Sequence, residues 1–315
     1  MNKKIKILTL GDHPLSASGV GTQTKYIIEG MLKTGKYKFF CLGGAMKHEN
    51  YDVVKTAEWG DDWTIQPIDG YGNQEMMRSL IRNEKPDIVW LMTDPRFWGW
   101  LWHIEHEVRP LAPMVYYHVW DNFPPPTFNK KFYESNDFIA TISKVTNSLV
   151  KLVAPTVDCD YIPHIVDENI FKKCTKEEVS ELMKDGLVKK ENFVNSDGKE
   201  KFVFFWNNRN ARRKQSGSLI FWFKDLLDRV GQDKAMLIMH TDVKDPHGQD
   251  LEAIIRELGL TNGEVMFSTN KYPPQTLAKL YSLADCTINV ADAEGFGLAT
   301  FESLACETPI IVTMT

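Results

Sequence analysis

Two carboxylates lie close together near the end of the 315-residue sequence, on either side of a glycine-containing loop. Glu294 and Glu302 are separated by seven residues, and Gly295, Phe296 and Gly297 directly follow the first of them. If a helix begins near Gly297, its first N–H groups can bind an anion, and both carboxylates can contact one ligand. The alternative is that Glu294 only complements the helix dipole and Glu302 is a surface charge.

A second group of residues that could bind a ligand or take part in a reaction is a basic segment in the middle of the chain. Four cations lie within six residues, from Arg209 to Lys214, directly after the apolar run Phe202–Trp206. Such a concentration of positive charge is costly unless an anion neutralises it or solvent screens it. Arginine presents a planar fork and lysine a point charge, which together suit two adjacent phosphates. The alternative is a solvated basic turn.

A glycine loop follows the first apolar run of the chain. Gly19 and Gly21 come after Ile5–Leu10 and precede a segment with helical spacing of apolar residues. A strand, a glycine loop and a helix start present backbone N–H groups to an anion or a sugar hydroxyl. The spacing lacks the third glycine of the dinucleotide fingerprint, which disfavours a nicotinamide cofactor. The alternative is a tight turn that needs glycine only for its backbone.

One histidine ends an apolar run and is a candidate for the reaction itself. His118 closes the run that begins at Val115. At the carboxyl end of a strand it can hydrogen-bond to a developing charge or transfer a proton. Alternatively, it completes a buried hydrogen-bond network. His103 and His106 lack a third ligand nearby, so no metal site is expected.

Short β-rich runs alternate with amphipathic stretches along the chain, which predicts βαβ units, a mainly parallel sheet and an α/β fold class. Helices are predicted between most of the strands, for example after Gln74, where apolar residues recur at helical spacing until Pro86. The predicted strands are Ile5–Leu10, Tyr37–Leu42, Asp87–Met92, Met114–Val119, Phe138–Ile142, Phe202–Trp206, Met236–His240, Glu264–Phe267, Cys286–Val290 and Ile310–Thr313.

The alternation occurs twice, which predicts two doubly wound domains. We expect an N-terminal domain over residues 1–171, a polar linker or insertion over 172–200, and a C-terminal domain over 201–315. Two such domains would face each other across a cleft at the carboxyl ends of their strands. Because a doubly wound domain normally ends with a helix that covers the sheet, we expect the second domain to be incomplete at Thr315.

Composition excludes several other classes of protein. Hydrophobic residues make up 43% and charged residues 25% of the chain, which is ordinary for a globular protein. A net charge of −5 does not favour binding to nucleic acid. Five scattered cysteines without a C-x-x-C pair, and no apolar run of membrane-spanning length, lead us to expect a reduced, cytoplasmic protein without a transmembrane segment.

These motifs together resemble the retaining glycosyltransferases of family 4. Glu294–Cys306 is similar to the E-G-F-G-L-x-x-x-E-x-x-A pattern of that family, and Arg209 with Lys214 is similar to its G-R-x-x-x-x-K segment. Tyr161–Asp167 resembles its I-P-N-G-V-D segment, with His164 in place of asparagine. The resemblance implies the GT-B fold, two Rossmann-like domains facing each other across a cleft. It also implies that residues 1–171 form the acceptor-side domain and residues 201–315 the nucleotide-sugar donor domain.

The family resemblance also implies a role for each candidate residue. Arg209 and Lys214 would hold the diphosphate of a nucleotide-sugar donor, and Glu302 would accept hydrogen bonds from its ribose. Glu294 would contact the transferred sugar, and His118 would lie near the reacting centre. The backbone amides of Gly295, Phe296 and Gly297 would lie close to the donor sugar. Gly19 and Gly21 would lie under the phosphate or the acceptor.

From the resemblance we expect a hexosyltransferase-type enzyme that transfers a sugar to an acceptor hydroxyl with retention and without a metal. We expect no cofactor, since the nucleotide-diphosphate sugar is the donor substrate. The acceptor is left open among a glycan, a lipid and a small molecule. A nucleotide diphosphate gathers negative charge as it departs, and preorganised cations and a helix N-terminus can stabilise that charge. The alternative is a nucleotide or glycan binding module, catalytically impaired by truncation.

Overall fold

The structure is a computed structural model that describes residues 3–184 and 189–314. The chain divides into two compact units, residues 1–165 and residues 166–315. Each unit consists of one mainly parallel sheet with helices, so the predicted α/β fold class is confirmed.

The first unit is built on an eight-stranded sheet with the order β3-β4-β2-β1-β5-β6-β7-β8. All neighbouring strands are parallel except the short β3, which is antiparallel to β4. The strands are β1 (Ile5–Asp12), β2 (Tyr37–Gly44), β3 (Val54–Lys55), β4 (Trp63–Pro67), β5 (Ile88–Thr93), β6 (Met114–His118), β7 (Phe138–Thr141) and β8 (Cys159–Tyr161).

Local signals in the sequence set the helices of the first unit. Asn73 and Ser143 cap two helix starts by accepting backbone N–H groups, and Lys85 ends a helix in the left-handed conformation just before Pro86. Leu8 and Leu10 of β1 are fully buried in the core. The helices are α1 (Gly19–Lys33), α2 (Gln74–Glu84), α3 (Gly99–Trp102), α4 (Glu105–Val108), α5 (Lys130–Glu134) and α6 (Lys144–Val153).

The second unit contains a five-stranded parallel sheet with the order β11-β10-β9-β12-β13. Two buried clusters, one around Phe205 and one around Trp206, form its core, because successive residues of a strand face opposite sides of the sheet. The strands are β9 (Phe202–Asn207), β10 (Ala235–His240), β11 (Val265–Ser268), β12 (Cys286–Asn289) and β13 (Ile310–Val312). The helices are α7 (Lys176–Lys184), α8 (Ser216–Val230), α9 (Leu251–Glu257), α10 (Pro274–Leu283) and α11 (Leu298–Ala305).

Residues 172–200, expected as a linker or insertion, contribute to the core of the second unit where they are described. Helix α7 lies in this segment, and Leu182 on α7 is 1% exposed. Phe193 is also buried, and both side chains belong to the same apolar cluster as Phe205. Over residues 3–184 and 189–314, no helix has both the length and the apolar character needed to cross a lipid bilayer.

Candidate active site

The predicted phosphate-binding and carboxylate residues lie in loops at the carboxyl ends of two central strands of the second sheet. Strands β9 and β12 are parallel neighbours, although the chain passes through β10 and β11 between them. In doubly wound sheets, ligands bind at the carboxyl ends of the strands where the order reverses in this way. Asn207 ends β9 and Asn289 ends β12, so the two loops that follow them leave the sheet side by side.

Lys214 and Glu294 come together at this edge. The Lys214 ammonium donates to the Glu294 Oε1 atom in an ion pair whose side chains are 9% and 18% exposed, respectively. A cation buried to this degree is unfavourable without an opposite charge, because the protein interior solvates it less well than water. The fold therefore joins the basic segment after β9 to the first carboxylate of the glycine loop.

Asn289 also contacts Glu294, although nothing in the sequence patterns singled it out. Its Nδ2 atom donates to Glu294 Oε1 at 3.0 Å and to Thr300 Oγ1 at 3.1 Å. The side chain is buried, with 5% exposure. The carboxylate is therefore held by a cation from one loop and by an amide at the end of β12.

Arg209 is arranged differently from Lys214. Its guanidinium is bidentate on Asp245, with Nε–Oδ2 and Nη2–Oδ1 distances of 2.5 and 3.1 Å. These hydrogen bonds lower the pKa of the Asp245 carboxyl. The Arg209 side chain is 62% exposed, and its guanidinium pairs with Asp245. Arg209 thus lies in the loop after β9 with its charge directed to a residue of the loop after β10.

A buried polar network holds the loop between Arg209 and Lys214 in place. The Asn210 side chain accepts from Ser216 Oγ at 2.6 Å and donates to the Gln249 carbonyl at 2.8 Å. Gln249 Oε1 in turn accepts from the Gly217 amide at 2.7 Å. Asn210 and Ser216 are fully buried. Since each partner is itself hydrogen-bonded, the loop is fixed to the start of α8 and to the loop after β10.

The glycine loop leads directly into α11. Gly297 has φ +80°, a left-handed conformation that favours glycine, and it precedes the helix start at Leu298. Because glycine has no side chain with which to cap the helix, the first N–H groups of α11 can bind an anionic group. Gly295 and Phe296 lie between this helix start and Glu294, and the Phe296 ring packs edge-on against Phe301.

Glu302 faces a different partner from Glu294. Tyr281 on α10 donates its hydroxyl to Glu302 Oε2 at 2.8 Å and accepts from Asn207 Nδ2 at 2.9 Å. Burial raises the pKa of Glu302 to about 7, and the hydrogen bond from Tyr281 opposes this shift. The second carboxylate is therefore half-buried and connected, through Tyr281, to the end of β9.

In the first unit the glycine loop forms the start of α1. The Ser18 hydroxyl accepts the Gly21 amide at 2.9 Å and donates to Asp12 Oδ2 at 2.7 Å. Tyr71 donates its hydroxyl to Asp12 Oδ1 at 2.9 Å. Gly19 begins the helix. Asp12 is thus a buried carboxylate at the end of β1, directly beside the loop, and it was not among the residues predicted from the sequence.

His118 lies at the end of β6 and is fully buried. Its Nδ1 and Nε2 atoms contact the hydroxyls of Tyr116 and Tyr133 at 2.9 and 2.8 Å. Tyr116 donates its own hydrogen to the Thr93 carbonyl at 2.7 Å, so Nδ1 carries the histidine proton and Nε2 accepts from Tyr133. Burial lowers the pKa of His118 to about 3. The ring is therefore neutral, and both of its nitrogens are hydrogen-bonded within the protein.

Thr93, whose carbonyl accepts the hydrogen bond from Tyr116, has an unusual backbone conformation. Its φ of +97° is rare for a β-branched residue and costs conformational energy. The residue ends β5, the strand that pairs with β1. Strain at the carboxyl end of two central strands, next to Asp12 and the glycine loop, is typical of a binding site.

Metal ligands do not cluster in the part of the chain that the structure describes: no group of three or more histidine, cysteine, aspartate or glutamate side chains could hold an ion there. The pair His103 and His106 is accordingly without a third ligand among those residues.

The sequence of the second unit matches a known protein family. Residues 188–315, which include the basic segment and both carboxylates, match the family described as "Glycosyl transferases group 1". No curated protein sequence matches the chain significantly.

Several solved structures share the fold of almost the whole chain. Sucrose-phosphate synthase from Thermosynechococcus elongatus aligns with a TM-score of 0.73 and 14% identity, over 98% of this chain and 81% of that chain. The α,α-trehalose 6-phosphate synthase of Burkholderia multivorans aligns at 0.68 and 13%, over 98% and 83%. Anabaena Alr3699/HepE in complex with UDP and glucose aligns at 0.68 and 15%, over 98% and 80%.

These comparisons agree with the architecture of the two units described above. At identities of this size, the structural similarity establishes the fold and leaves the substrate open. The chain has the α/β fold of the GT-B glycosyltransferases, and its residues 188–315 carry a domain that matches the group 1 glycosyltransferases.

Proposed function

We propose that the protein is a glycosyltransferase that moves a hexosyl group from a nucleotide-diphosphate sugar to an acceptor hydroxyl. The observation that carries the proposal is the buried contact of Lys214 and Glu294 at the reversal point of the second sheet. This contact lies within the region that matches the group 1 glycosyltransferases. It joins a cation suited to phosphate with a carboxylate suited to sugar hydroxyls.

The leaving group is the first chemical problem that the site must solve. When the bond between the sugar C1 and the phosphate oxygen breaks, the electron pair stays on the diphosphate. We assign its stabilisation to Lys214, to Arg209 and to the N–H groups at the start of α11, which are fixed before the reaction. Arg209, exposed and held by Asp245, would bind at the outer side of the diphosphate. This assignment requires no metal.

The two carboxylates are assigned to different parts of the donor. Glu294, next to Lys214, would accept hydrogen bonds from hydroxyls of the transferred sugar. Glu302, on the first turns of α11, would accept them from the ribose. Anabaena Alr3699/HepE forms complexes with UDP and glucose and with UDP-glucose, which supports UDP-glucose as the first donor to test.

The acceptor is assigned to the carboxyl end of the first sheet. Asp12, with Tyr71 and Ser18 donating to it, can accept a hydrogen bond from an acceptor hydroxyl beside Gly19 and Gly21. His118, neutral because of its lowered pKa, would orient this edge rather than act as a base. The new bond forms between the acceptor oxygen and C1, and the departing diphosphate takes up the hydroxyl proton. Retention of configuration is part of the proposal.

The test is a transfer assay with UDP-, GDP- and ADP-glucose that measures both release of the nucleoside diphosphate and incorporation of sugar. We expect turnover with one donor, and a loss of about 10²-fold or more in Arg209→Ala and Lys214→Ala. Lys224→Ala is the control, because Lys224 pairs with Asp228 on α8 outside the loops of the site. Nucleotide binding without turnover would instead support a binding module, and equal turnover in all variants would contradict the leaving-group assignment.

A further inference from the structure

The environment of Asn289 is unusual for a residue at the end of a buried strand. The amide is 5% exposed, and its Nδ2 atom donates to both Glu294 Oε1 and Thr300 Oγ1. The Oδ1 atom is buried and makes no hydrogen bond to any of the residues that the structure describes. A buried amide oxygen without a partner destabilises the folded protein.

The orientation of this amide follows from its neighbours. A carboxylate only accepts hydrogen bonds, so the nitrogen of Asn289 and not its oxygen must face Glu294. Rotating the amide would give Oδ1 a chance of a partner but would place it against the negative charge. The contact with Glu294 is therefore kept at the cost of an unsatisfied oxygen. An apolar residue of similar volume would avoid that cost, which indicates that the contact itself has a use.

The two carboxylate oxygens of Glu294 differ in the hydrogen bonds that they accept. Oε1 receives hydrogen bonds from both the Lys214 ammonium and Asn289 Nδ2. Oε2 receives no hydrogen bond from the described residues, and 18% of the Glu294 side chain is exposed. One oxygen is thus fixed inside the protein, and the other is left to bind a ligand.

We propose that Asn289 is a positioning residue that holds Glu294 Oε1 so that Oε2 faces a hydroxyl of the transferred sugar. This inference rests on the proposed function and adds a specific requirement to it. A donor diphosphate competes with Glu294 for the Lys214 ammonium. When Lys214 turns toward the phosphates, the hydrogen bond from Asn289 remains and prevents the carboxylate from rotating. Asn289 would thus not contact the ligand itself but would set the orientation of Glu294, the residue that does.

The experiment compares Asn289→Leu, which removes the donor at similar volume, with Thr300→Val, which removes only the other acceptor of the same Nδ2 atom. Calorimetry gives the Kd values of UDP and UDP-glucose, transfer assays give kcat and KM, and thermal unfolding monitors the fold. Asn289→Ser, which is too short to reach Glu294, is a second variant in case the leucine disrupts packing.

We expect Asn289→Leu and Asn289→Ser to keep the UDP affinity of the parent, because Glu294 is assigned to the sugar and not to the nucleotide. They should lose the additional affinity for UDP-glucose over UDP and about 10- to 100-fold in kcat, the scale for misplacing a reacting group. Thr300→Val should behave like the parent.

Three results would overturn the inference. The first is an unchanged UDP-glucose to UDP affinity ratio and kcat in both Asn289 variants. The second is an equal loss of affinity for UDP and UDP-glucose, which would indicate a general structural role. The third is a Thr300→Val variant with the same defect, which would place the effect in α11. Failure of the parent itself to bind UDP, GDP or ADP would contradict the proposed function, and the inference would fall with it.

Discussion

Lys214 and Glu294, which are 80 residues apart in the chain, form an ion pair at the carboxyl edge of the second sheet. The pair exists because the loops after β9 and β12 leave neighbouring parallel strands. Neither residue reaches bulk solvent freely, with 9% and 18% of their side chains exposed. Their charges are therefore coupled, and changing either one affects both stability and the proposed donor site.

Replacing Lys214 by methionine should lower turnover by about 10²-fold or more, since one preorganised charge on the leaving group is lost. It should also lower the free energy of unfolding, because Glu294 is left without its cation. The loss should be smaller than the about 3–5 kcal/mol for breaking a fully buried pair, since Glu294 keeps partial exposure. Urea unfolding and steady-state kinetics measure the two effects.

A double variant separates stability from catalysis. Lys214→Met with Glu294→Gln removes both charges, so we expect it to recover most of the unfolding free energy but none of the activity. Recovery of activity in the double variant would show that Lys214 acts only as a counter-charge for Glu294.

Two glycines of α1 should respond in opposite directions to alanine. A Cβ at Gly21 would lie 2.6 Å from the His13 carbonyl oxygen, whereas a Cβ at Gly30 meets nothing within 4 Å. We expect Gly21→Ala to destabilise by about 1–3 kcal/mol, the scale of overpacking. Gly30→Ala should stabilise by about 0.5–1 kcal/mol, because alanine is the better helix former. Thermal or urea unfolding measures both, and a stable Gly21→Ala variant would contradict the described loop geometry.

Glu302 should make stability depend on pH. Burial raises its pKa to about 7, whereas glutamic acid in an unfolded chain titrates near about 4.3. The folded protein thus retains this proton to higher pH, so the stability that Glu302 contributes at low pH is lost as the pH rises toward 7. Glu302→Gln removes this loss. Its unfolding free energy relative to the parent should therefore increase between pH 5 and pH 7.5, and a constant difference over this range would contradict the raised pKa.

His118 should not titrate near neutral pH. Burial lowers its pKa to about 3, below the ordinary value of about 6.5 for the unfolded chain. The stability that the neutral ring contributes is complete above pH 6.5 and is lost as the pH falls from there toward 3. NMR of the imidazole, assigned with a His118→Phe variant, should show no protonation between pH 5 and pH 8. A midpoint near 6.5 would contradict the buried network and return His118 to the role of an acid or base.

The sequence allowed the fold class to be predicted, and it singled out the two loops that meet at the carboxyl ends of β9 and β12. The apolar runs of β1 and β9 are long and are followed by glycine or basic residues, so both strands could be recognised from the sequence. The roles of the residues that follow them remain proposals. The short strands β3, β4 and β8 were not among the predicted strands. Strand β3 has only two residues, β8 only three, and all three lie at or near an edge of the sheet, where packing rather than local pattern determines pairing.

The partners of the site residues could not be read from the sequence. Asp245 and Tyr281 contact Arg209 and Glu302 only because distant segments meet at the edge of the second sheet. Asn289 carries no motif, and only its buried, half-satisfied amide identifies it. One signal was available: Tyr116 lies two residues before His118, on the same face of the strand, which favours a buried network over an open site.

The most direct test of the central claim is a calorimetric titration with the nucleoside diphosphate, among UDP, GDP and ADP, that raises the unfolding midpoint most. The parent and Lys224→Met should bind it equally, and Lys214→Met should bind it at least about 10-fold more weakly, the loss of one charge-assisted contact. Equal binding by the parent and Lys214→Met, or no binding of any of the three nucleotides to the parent, would contradict a diphosphate site built on Lys214.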